Sequence, residues 1–304
     1  MPIDPGAQLL LDVVNARELP PIEEMTPEEA RVAHLGLVAL QGEAPEGTTV
    51  EERDIAGVPC QVITPDGDGP WPVLVWIHGG GWVIGRAAES TITAQRLAVG
   101  AGCVVVNVDY RLAPEHPFPA APDDCSAVAH WVLVHAAEIG GDPARVAVGG
   151  DSAGGNLSAV VANEVPGLLF QLLVYPVVDV TFSSPSMEEN AEGYLLTKAS
   201  MEWFAGHYLA GGGDPKDPRV SPLLAPLDVL AGAPPALVIT AELDPLRDEG
   251  EVYAARLAEA GVEATCTRYD GQIHAFFVLP AVIPEALVAV GEAAHHLRAA
   301  FGTS

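Results

Sequence analysis

Residues 146–164 read VAVGGDSAGGNLSAVVANE, and this stretch decides the fold. The apolar run Val146–Val148 predicts a buried strand, and the run NLSAVVANE predicts a helix directly after it. Between them, Gly150–Gly154 has the pattern G-x-S-x-G, which predicts that Ser152 lies on a sharp strand-to-helix turn. Such a turn points the hydroxyl outward and leaves the N–H of Ala153 free at a helix N-terminus. The sequence therefore predicts a nucleophilic serine with an anion-binding amide beside it.

Other apolar runs also lack the polar alternation of half-buried strands. Runs of this kind are typical of strands covered on both faces: Val73–Ile77, Val104–Val108, Leu168–Val174 and Leu237–Thr240. Helical patterns separate them, with one face formed by Cys125, Val128, Ala129 and Val132, and that of the last helix by Leu287, Gly291, Ala294 and Leu297. The alternation predicts an α/β fold whose mostly parallel sheet has helices on both sides.

Two segments fall outside this alternation. Residues 1–47 are predicted to be helical, with Thr26, Pro27 and Glu29 forming a capping box before a helix that runs to about Leu40. Residues 181–219 carry no strand signal but contain one short amphipathic helix, whose apolar face is Met201, Phe204, Ala205 and Tyr208. We expect the two segments to form a helical cap over the carboxyl edge of the sheet, and residues 48–304 to form the catalytic domain.

A glycine-rich loop, HGGGW at 78–82, follows the strand Val73–Ile77. Consecutive glycines expose backbone N–H groups that no side chain shields, as an oxyanion requires. A phosphate loop is excluded by spacing, because G-x-G-x-x-G would need glycine at Ile84 and neither lysine follows a glycine. Gly79, Gly80 and Gly81 are therefore predicted, with Ala153, to donate to an oxyanion.

An activated serine needs a base and a carboxylate that orients it. Of the nine histidines, His274 is favoured because it lies in a loop after the strand-like Cys266–Tyr269, near the C-terminus. Asp244 comes just after the strand Leu237–Thr240, whereas Asp248 is interpreted as the cap of the next helix. Other histidines have structural interpretations, on helices or in the glycine loop: His78, His130, His135, His207, His295 and His296.

Charge and cysteine usage exclude several classes of protein. Fourteen Lys and Arg against 41 Asp and Glu give a net charge of −27, which excludes binding to nucleic acid or to an anionic membrane surface. Four cysteines, which form no CxxC pair, are predicted to be buried and reduced: Cys60, Cys103, Cys125 and Cys266. No HExxH motif and no long apolar run occur, so we expect a cytoplasmic protein without a metal or membrane span.

Four motifs together resemble the hormone-sensitive-lipase family of bacterial esterases, and they stand in the family's order. They are HGGGW at 78–82, DYRLAPEHPFPA at 109–120, GDSAGGN at 150–156 and DPLRDEG at 244–250. The resemblance implies an α/β-hydrolase fold with an eight-stranded sheet, ester hydrolysis without a cofactor, and frequent homodimers. It assigns the catalytic serine, aspartate and histidine to Ser152, Asp244 and His274. One residue departs from the family's pattern, since Ala275 stands where a glycine usually follows the histidine.

The sequence thus predicts a serine carboxylesterase that hydrolyses short- to medium-chain esters of small molecules through an acyl-enzyme. Aromatic side chains of the glycine loop and the cap are candidates for the acyl pocket, with core packing as the alternative for each: Trp82, Tyr194, Phe204 and Tyr208. Amidase or lactonase activity on the same residues is an alternative that the sequence leaves open. A non-catalytic ligand-binding protein of the same fold is the rival from another class, and turnover of a p-nitrophenyl ester would separate the two.

Overall fold

One eight-stranded sheet organises the computed structural model, which describes residues 2–303. The strands follow the spatial order β1-β2-β4-β3-β5-β6-β7-β8. β2 runs antiparallel to β1 and β4, and the remaining neighbours pair in parallel. The strands are β1 (Thr48–Ile55), β2 (Val58–Pro65), β3 (Trp71–Ile77), β4 (Val104–Val108), β5 (Gly141–Asp151), β6 (Gln171–Val174), β7 (Ala236–Leu243) and β8 (Ala264–Ile273). The eight-stranded, mostly parallel sheet expected from the sequence is confirmed.

Helices cover both faces of the sheet and explain the unbroken apolar strands. In β3, Leu74 and Trp76 join the core on one side, while Val73, Val75 and Ile77 join the core on the other. The first core is covered by α3 (Ala87–Ala101) and α10 (Glu285–Phe301), and the second by α4 (Ala120–His135) and α5 (Ala153–Glu164). α9 (Arg247–Glu259) packs against β7 and β8. Every residue of β4 is buried for the same reason.

The buried face of α10 differs from the predicted one. Leu287 is 53% exposed and Gly291 is also exposed, whereas Ala294 and Leu297 are buried as expected. The buried stripe continues towards the N-terminus through Ala286 and Val290. Each is one residue earlier than the predicted position, about 100° around the helix, so the prediction was wrong for Leu287 and Gly291.

Cys266 corrects the prediction that all four cysteines are buried. Cys60, Cys103 and Cys125 are buried free thiols, but Cys266 is exposed. It lies on β8, the edge strand of the sheet, where a shallow depression separates it from α9. Three of the α9 residues that line this depression are alanines, which are too small to cover the thiol: Ala254, Ala255 and Ala258.

The helices outside the alternating pattern come from two parts of the chain. Before the sheet lie α1 (Pro5–Asn15) and α2 (Pro27–Val38), the latter opened by the predicted capping box between Thr26 and Glu29. Between β6 and β7 lie α6 (Pro185–Glu189), α7 (Lys198–Tyr208) and α8 (Leu227–Leu230). The predicted apolar face of α7 is buried. Within residues 2–303, no helix has the length and apolar character needed to cross a membrane.

Candidate active site

The turn between β5 and α5 holds Ser152 in a backbone conformation that residues other than glycine rarely adopt. Its φ is 56° and its ψ is −119°, and such geometry is found mainly at functional sites. The flanking glycines are required by close approach of β3: a Cβ at Gly150 would lie 2.4 Å from the carbonyl oxygen of Ile77, and one at Gly154 only 1.9 Å from it. The sequence therefore folds here only with glycine at both positions.

Ser152, His274 and Asp244 form one hydrogen-bonded chain. The Oγ of Ser152 lies 2.9 Å from Nε2 of His274, and Nδ1 of His274 lies 2.7 Å from Oδ2 of Asp244. The other carboxylate oxygen of Asp244 accepts the N–H of Leu246 at 2.9 Å, and the aspartate is fully buried. Because a carboxylate only accepts, Nδ1 of His274 donates and Nε2 offers its lone pair to the serine hydroxyl.

Ala275, the departure from the family's pattern, adopts a left-handed backbone conformation with φ of 67°. Glycine adopts this conformation without cost, whereas a Cβ disfavours it. The alanine does not displace the preceding residue, since His274 still contacts both Ser152 and Asp244. Alanine at this position therefore strains the backbone locally, while the hydrogen-bonded chain of Ser152, His274 and Asp244 stays intact.

Asp248 has a different role from the predicted helix cap. It lies within the first turn of α9, and its Oδ2 accepts the N–H of Ser186 in α6 at 2.9 Å. Its Oδ1 accepts from Nε of Arg247 at 2.8 Å. Since its own helix offers no cap contact, the side chain instead ties the segment between β6 and β7 to α9.

The glycine loop offers two amides to the space beside Ser152. No hydrogen bond joins the N–H of Gly80 or Gly81 to another residue within 2–303, and Ala153, as the first residue of α5, has no intrahelical acceptor. The N–H of Gly79 instead donates to Oδ1 of Asp151 at 3.0 Å. Of the four predicted donors, Gly79 is therefore the one whose N–H is already hydrogen-bonded to another residue.

Asp151 is a functional candidate that the sequence analysis did not single out. Burial raises the pKa of its carboxyl to about 6, although the Gly79 N–H and nearby His274 act in the opposite direction. Its bond to Gly79 fixes the first peptide of the glycine loop against the nucleophile turn. The signal available in the sequence was its place directly before Ser152, but the G-x-S-x-G pattern leaves that position open.

A cavity of about 500 Å³ opens above Ser152 and His274. Both segments outside the alternating pattern contribute to its lining, including Leu37 from α2 and Phe204 from α7. The other aromatic candidates follow the alternative of core packing: Trp82 and Tyr208 stack on each other in the core with ring centroids 4.3 Å apart, and Tyr194 packs against the opposite core. No group of three or more potential metal ligands occurs within the described chain.

Arg31 fastens α2 beside this cavity. Its guanidinium donates to the carbonyl oxygens of Val83 and Ala113, at 2.9 and 3.0 Å, and to both carboxylate oxygens of Glu115, each at 2.7 Å. Val83 directly follows the glycine loop, and Glu115 belongs to the DYRLAPEHPFPA motif. One side chain thus joins the N-terminal segment to the loops behind the oxyanion amides.

Several known proteins of similar sequence and structure are named as ester hydrolases. A family model for the alpha/beta hydrolase fold matches residues 74–278. Carboxylesterase NlhH of Mycobacterium tuberculosis is 39% identical, over 98% of this chain and 96% of that protein. Ethyl acetate hydrolase of Pseudomonas putida is 34% identical, over 96% of this chain and 98% of that protein.

A solved structure of an ester hydrolase from the metagenome of Lake Arreo superposes with a TM-score of 0.95. It is 41% identical, and the match covers 99% of this chain and 100% of that chain. The similarity therefore extends over the helices before the sheet and those between β6 and β7 as well as over the sheet. The chain belongs to the hormone-sensitive-lipase family of the α/β-hydrolase superfamily and is a serine carboxylesterase.

Proposed function

We propose that Ser152 is the nucleophile of this carboxylesterase, His274 its general base and Asp244 the residue that orients the base. Ser152 Oγ attacks the ester carbonyl while Nε2 of His274 takes its proton, and the alcohol leaves with that proton. Asp244 holds the Nδ1–H tautomer and stabilises the imidazolium that forms. Water, deprotonated by the same histidine, then attacks the acyl-enzyme and releases the acid.

Three amides are assigned to the oxyanion in this mechanism: those of Gly80, Gly81 and Ala153. Gly80 and Gly81 line the same cavity as Ser152, and preorganised donors of this kind stabilise developing charge more than water does. Gly79 is excluded because its N–H donates to Asp151. The role proposed for the hydrogen bond between Gly79 and Asp151 is therefore to hold the glycine loop in position.

The observation that carries the proposal is the continuous hydrogen-bonded chain from Asp244 to Ser152, with contacts of 2.7 and 2.9 Å, in the lining of a cavity. A receptor that only binds ligands has no need of such a chain. Incubation with an organophosphonate should stop turnover of p-nitrophenyl butyrate and add one phosphonyl group to the peptide that contains Ser152. Turnover without labelling at Ser152 would contradict the assignment.

We also propose that residues 1–47 and 181–219 act as one cap that bounds the acyl site. A cavity of about 500 Å³ accommodates a short or medium chain but not a long-chain triglyceride. The net charge of −27 opposes adsorption to anionic lipid surfaces. In a series of p-nitrophenyl esters, kcat/KM should peak at short to medium acyl chains, with no activation by emulsified oil. A steady rise to long chains would contradict the cap. The cytoplasmic location and the homodimer stay predictions.

A further inference from the structure

We propose that the cavity contains a polar subsite, formed by Gln41, His78 and Glu89, that binds a hydroxyl group of the ester substrate. The inference rests on the ester hydrolysis proposed at Ser152 and adds a feature of the substrate. All three residues line the cavity that also exposes Ser152 and His274. Each of the three holds a buried acceptor atom that no hydrogen-bond donor within residues 2–303 satisfies: Gln41 Oε1, His78 Nε2 and Glu89 Oε2.

The protonation state of His78 follows from its contact with the glycine loop. Its Nδ1 lies 2.7 Å from the carbonyl oxygen of Gly79, which can only accept, so Nδ1 carries the proton. Burial lowers the pKa of His78, and the ring is only 2% exposed. A neutral ring with its proton on Nδ1 leaves Nε2 as an acceptor.

Gln41 and Glu89 are joined so that their free oxygens remain acceptors. The side-chain amide of Gln41 donates to the backbone carbonyl of Glu89, and Gln41 is only 6% exposed. His34 lies beside Glu89, with 3.6 Å between its Nε2 and Oε2 of Glu89, which is too long for a hydrogen bond. Burial, helped by His78, lowers the pKa of His34 to about 4, so this histidine is uncharged at neutral pH.

Three orphaned acceptors in one cavity are unusual, because buried polar atoms in proteins are nearly always paired. A ligand that donates a hydrogen bond would satisfy them. Burial raises the pKa of Glu89, while Arg86, whose cationic side chain also lines the cavity, acts in the opposite direction. A neutral donor, the hydroxyl group, therefore suits the subsite better than an ammonium group does.

Matched esters test the subsite on both sides of the scissile bond. One pair is 4-hydroxybutyl acetate and pentyl acetate, and the other is ethyl 6-hydroxyhexanoate and ethyl heptanoate. Within a pair, a terminal hydroxyl replaces a methyl group of similar size. In at least one pair, kcat/KM should favour the hydroxylated ester by roughly 10- to 100-fold, because its alkyl partner leaves buried acceptors unpaired.

Variants of the subsite test whether these residues cause the preference for the hydroxylated ester. Gln41→Leu and Glu89→Leu remove acceptors and should each lower the ratio of hydroxylated to alkyl ester several-fold. Thr91→Val is the matched control on the same helix, because its hydroxyl donates to Gln61 and to helix carbonyls rather than into the cavity. Its ratio should equal that of the wild type.

The comparison of matched esters with the wild-type protein tests the proposal even where a variant fails to fold. If both alkyl esters react as fast as their hydroxylated partners, the subsite is overturned and the esterase assignment stands. An unchanged ratio in a folded Gln41→Leu protein would also overturn it. If none of the four esters nor p-nitrophenyl acetate is hydrolysed, the proposed function fails, and the subsite fails with it.

Discussion

Asp244 and His274 are the first residues beyond two adjacent parallel strands whose last paired residues, Leu243 and Ile273, stand opposite each other. The sheet register therefore sets these two side chains side by side, with 2.7 Å between Oδ2 and Nδ1. Asp248, four residues further along the chain, faces α6 instead. The choice between the two aspartates follows from strand pairing rather than from loop geometry.

Asp244→Asn and Asp248→Asn should separate the two carboxylates. An asparagine at 244 permits the wrong tautomer of His274, and kcat should fall by up to about 10⁴-fold. Asp248→Asn weakens the contact with Ser186 and should cost about 1 kcal/mol of unfolding free energy, with a much smaller effect on kcat. Steady-state kinetics and urea denaturation measure both effects. A larger loss of kcat in folded Asp248→Asn than in folded Asp244→Asn would mean that the wrong aspartate is assigned.

Ala275→Gly should relieve strain in the loop that carries His274. A left-handed alanine costs about 1 kcal/mol, and the greater freedom of glycine in the unfolded chain offsets part of that cost. The unfolding free energy should therefore rise by up to about 1 kcal/mol. Ala255→Gly, in the exposed middle of α9, is the matched control and should lose about 1 kcal/mol. Equal losses in the two variants would show that the backbone at 275 is unstrained.

Arg31→Met should loosen α2 while keeping the aliphatic part of the side chain. Four hydrogen bonds to the loops around the active site are lost, so substrate positioning and water exclusion should suffer. We expect kcat/KM to fall by about 10-fold and proteolysis between α1 and α2 to accelerate. The control is Arg53→Met, which loses one exposed bond to the carbonyl of Glu138. Indistinguishable kinetics in the two variants would exclude a role for α2 in the cap.

Asp151→Asn should change how stability depends on pH. Because burial raises the pKa of Asp151 to about 6, the folded chain binds a proton that the unfolded chain releases between about pH 4 and 6. Stability from this group is therefore present at low pH and is lost as pH rises through 6, by about 1 kcal/mol between pH 5 and 8. The asparagine variant lacks this loss. Urea denaturation at pH 5 and pH 8 measures the unfolding free energy of both proteins. From pH 5 to pH 8, Asp151→Asn should gain stability relative to wild type. An equal difference in unfolding free energy at the two pH values would contradict the raised pKa.

The elements around the nucleophile are predictable from sequence because their determinants are local. Gly150, Ser152 and Gly154 lie within five residues, and the strand before them and the helix after them have separate hydrophobic patterns. Asp244 and His274 could be selected as candidates because each comes four or five residues after an apolar or strand-like run, at 237–240 and 266–269. The contact between Asp244 and His274, by contrast, depends on the pairing of β7 with β8.

Features that depend on long-range contacts could not be predicted in the same way. Asp151 and Gly79 meet because β3 and β5 are adjacent, although 72 residues separate them. The aromatic residues show the same limit: Trp82 and Tyr208 stack in the core, whereas Phe204 on the same helix as Tyr208 lines the cavity. An apolar ring suits either environment, so residue type alone does not distinguish a pocket from a core.

Replacement of Ser152 tests the central claim most directly. The Ser152→Ala protein should fold as the wild type does, as judged by circular dichroism and thermal unfolding, because among residues 2–303 only His274 is hydrogen-bonded to the hydroxyl. The matched control is Ser126→Ala, whose hydroxyl contacts Glu164 at the protein surface. With p-nitrophenyl butyrate, kcat of Ser152→Ala should fall by roughly 10⁴- to 10⁶-fold, while Ser126→Ala stays near wild type. A folded Ser152→Ala protein that hydrolyses the ester at close to the wild-type rate would contradict the account.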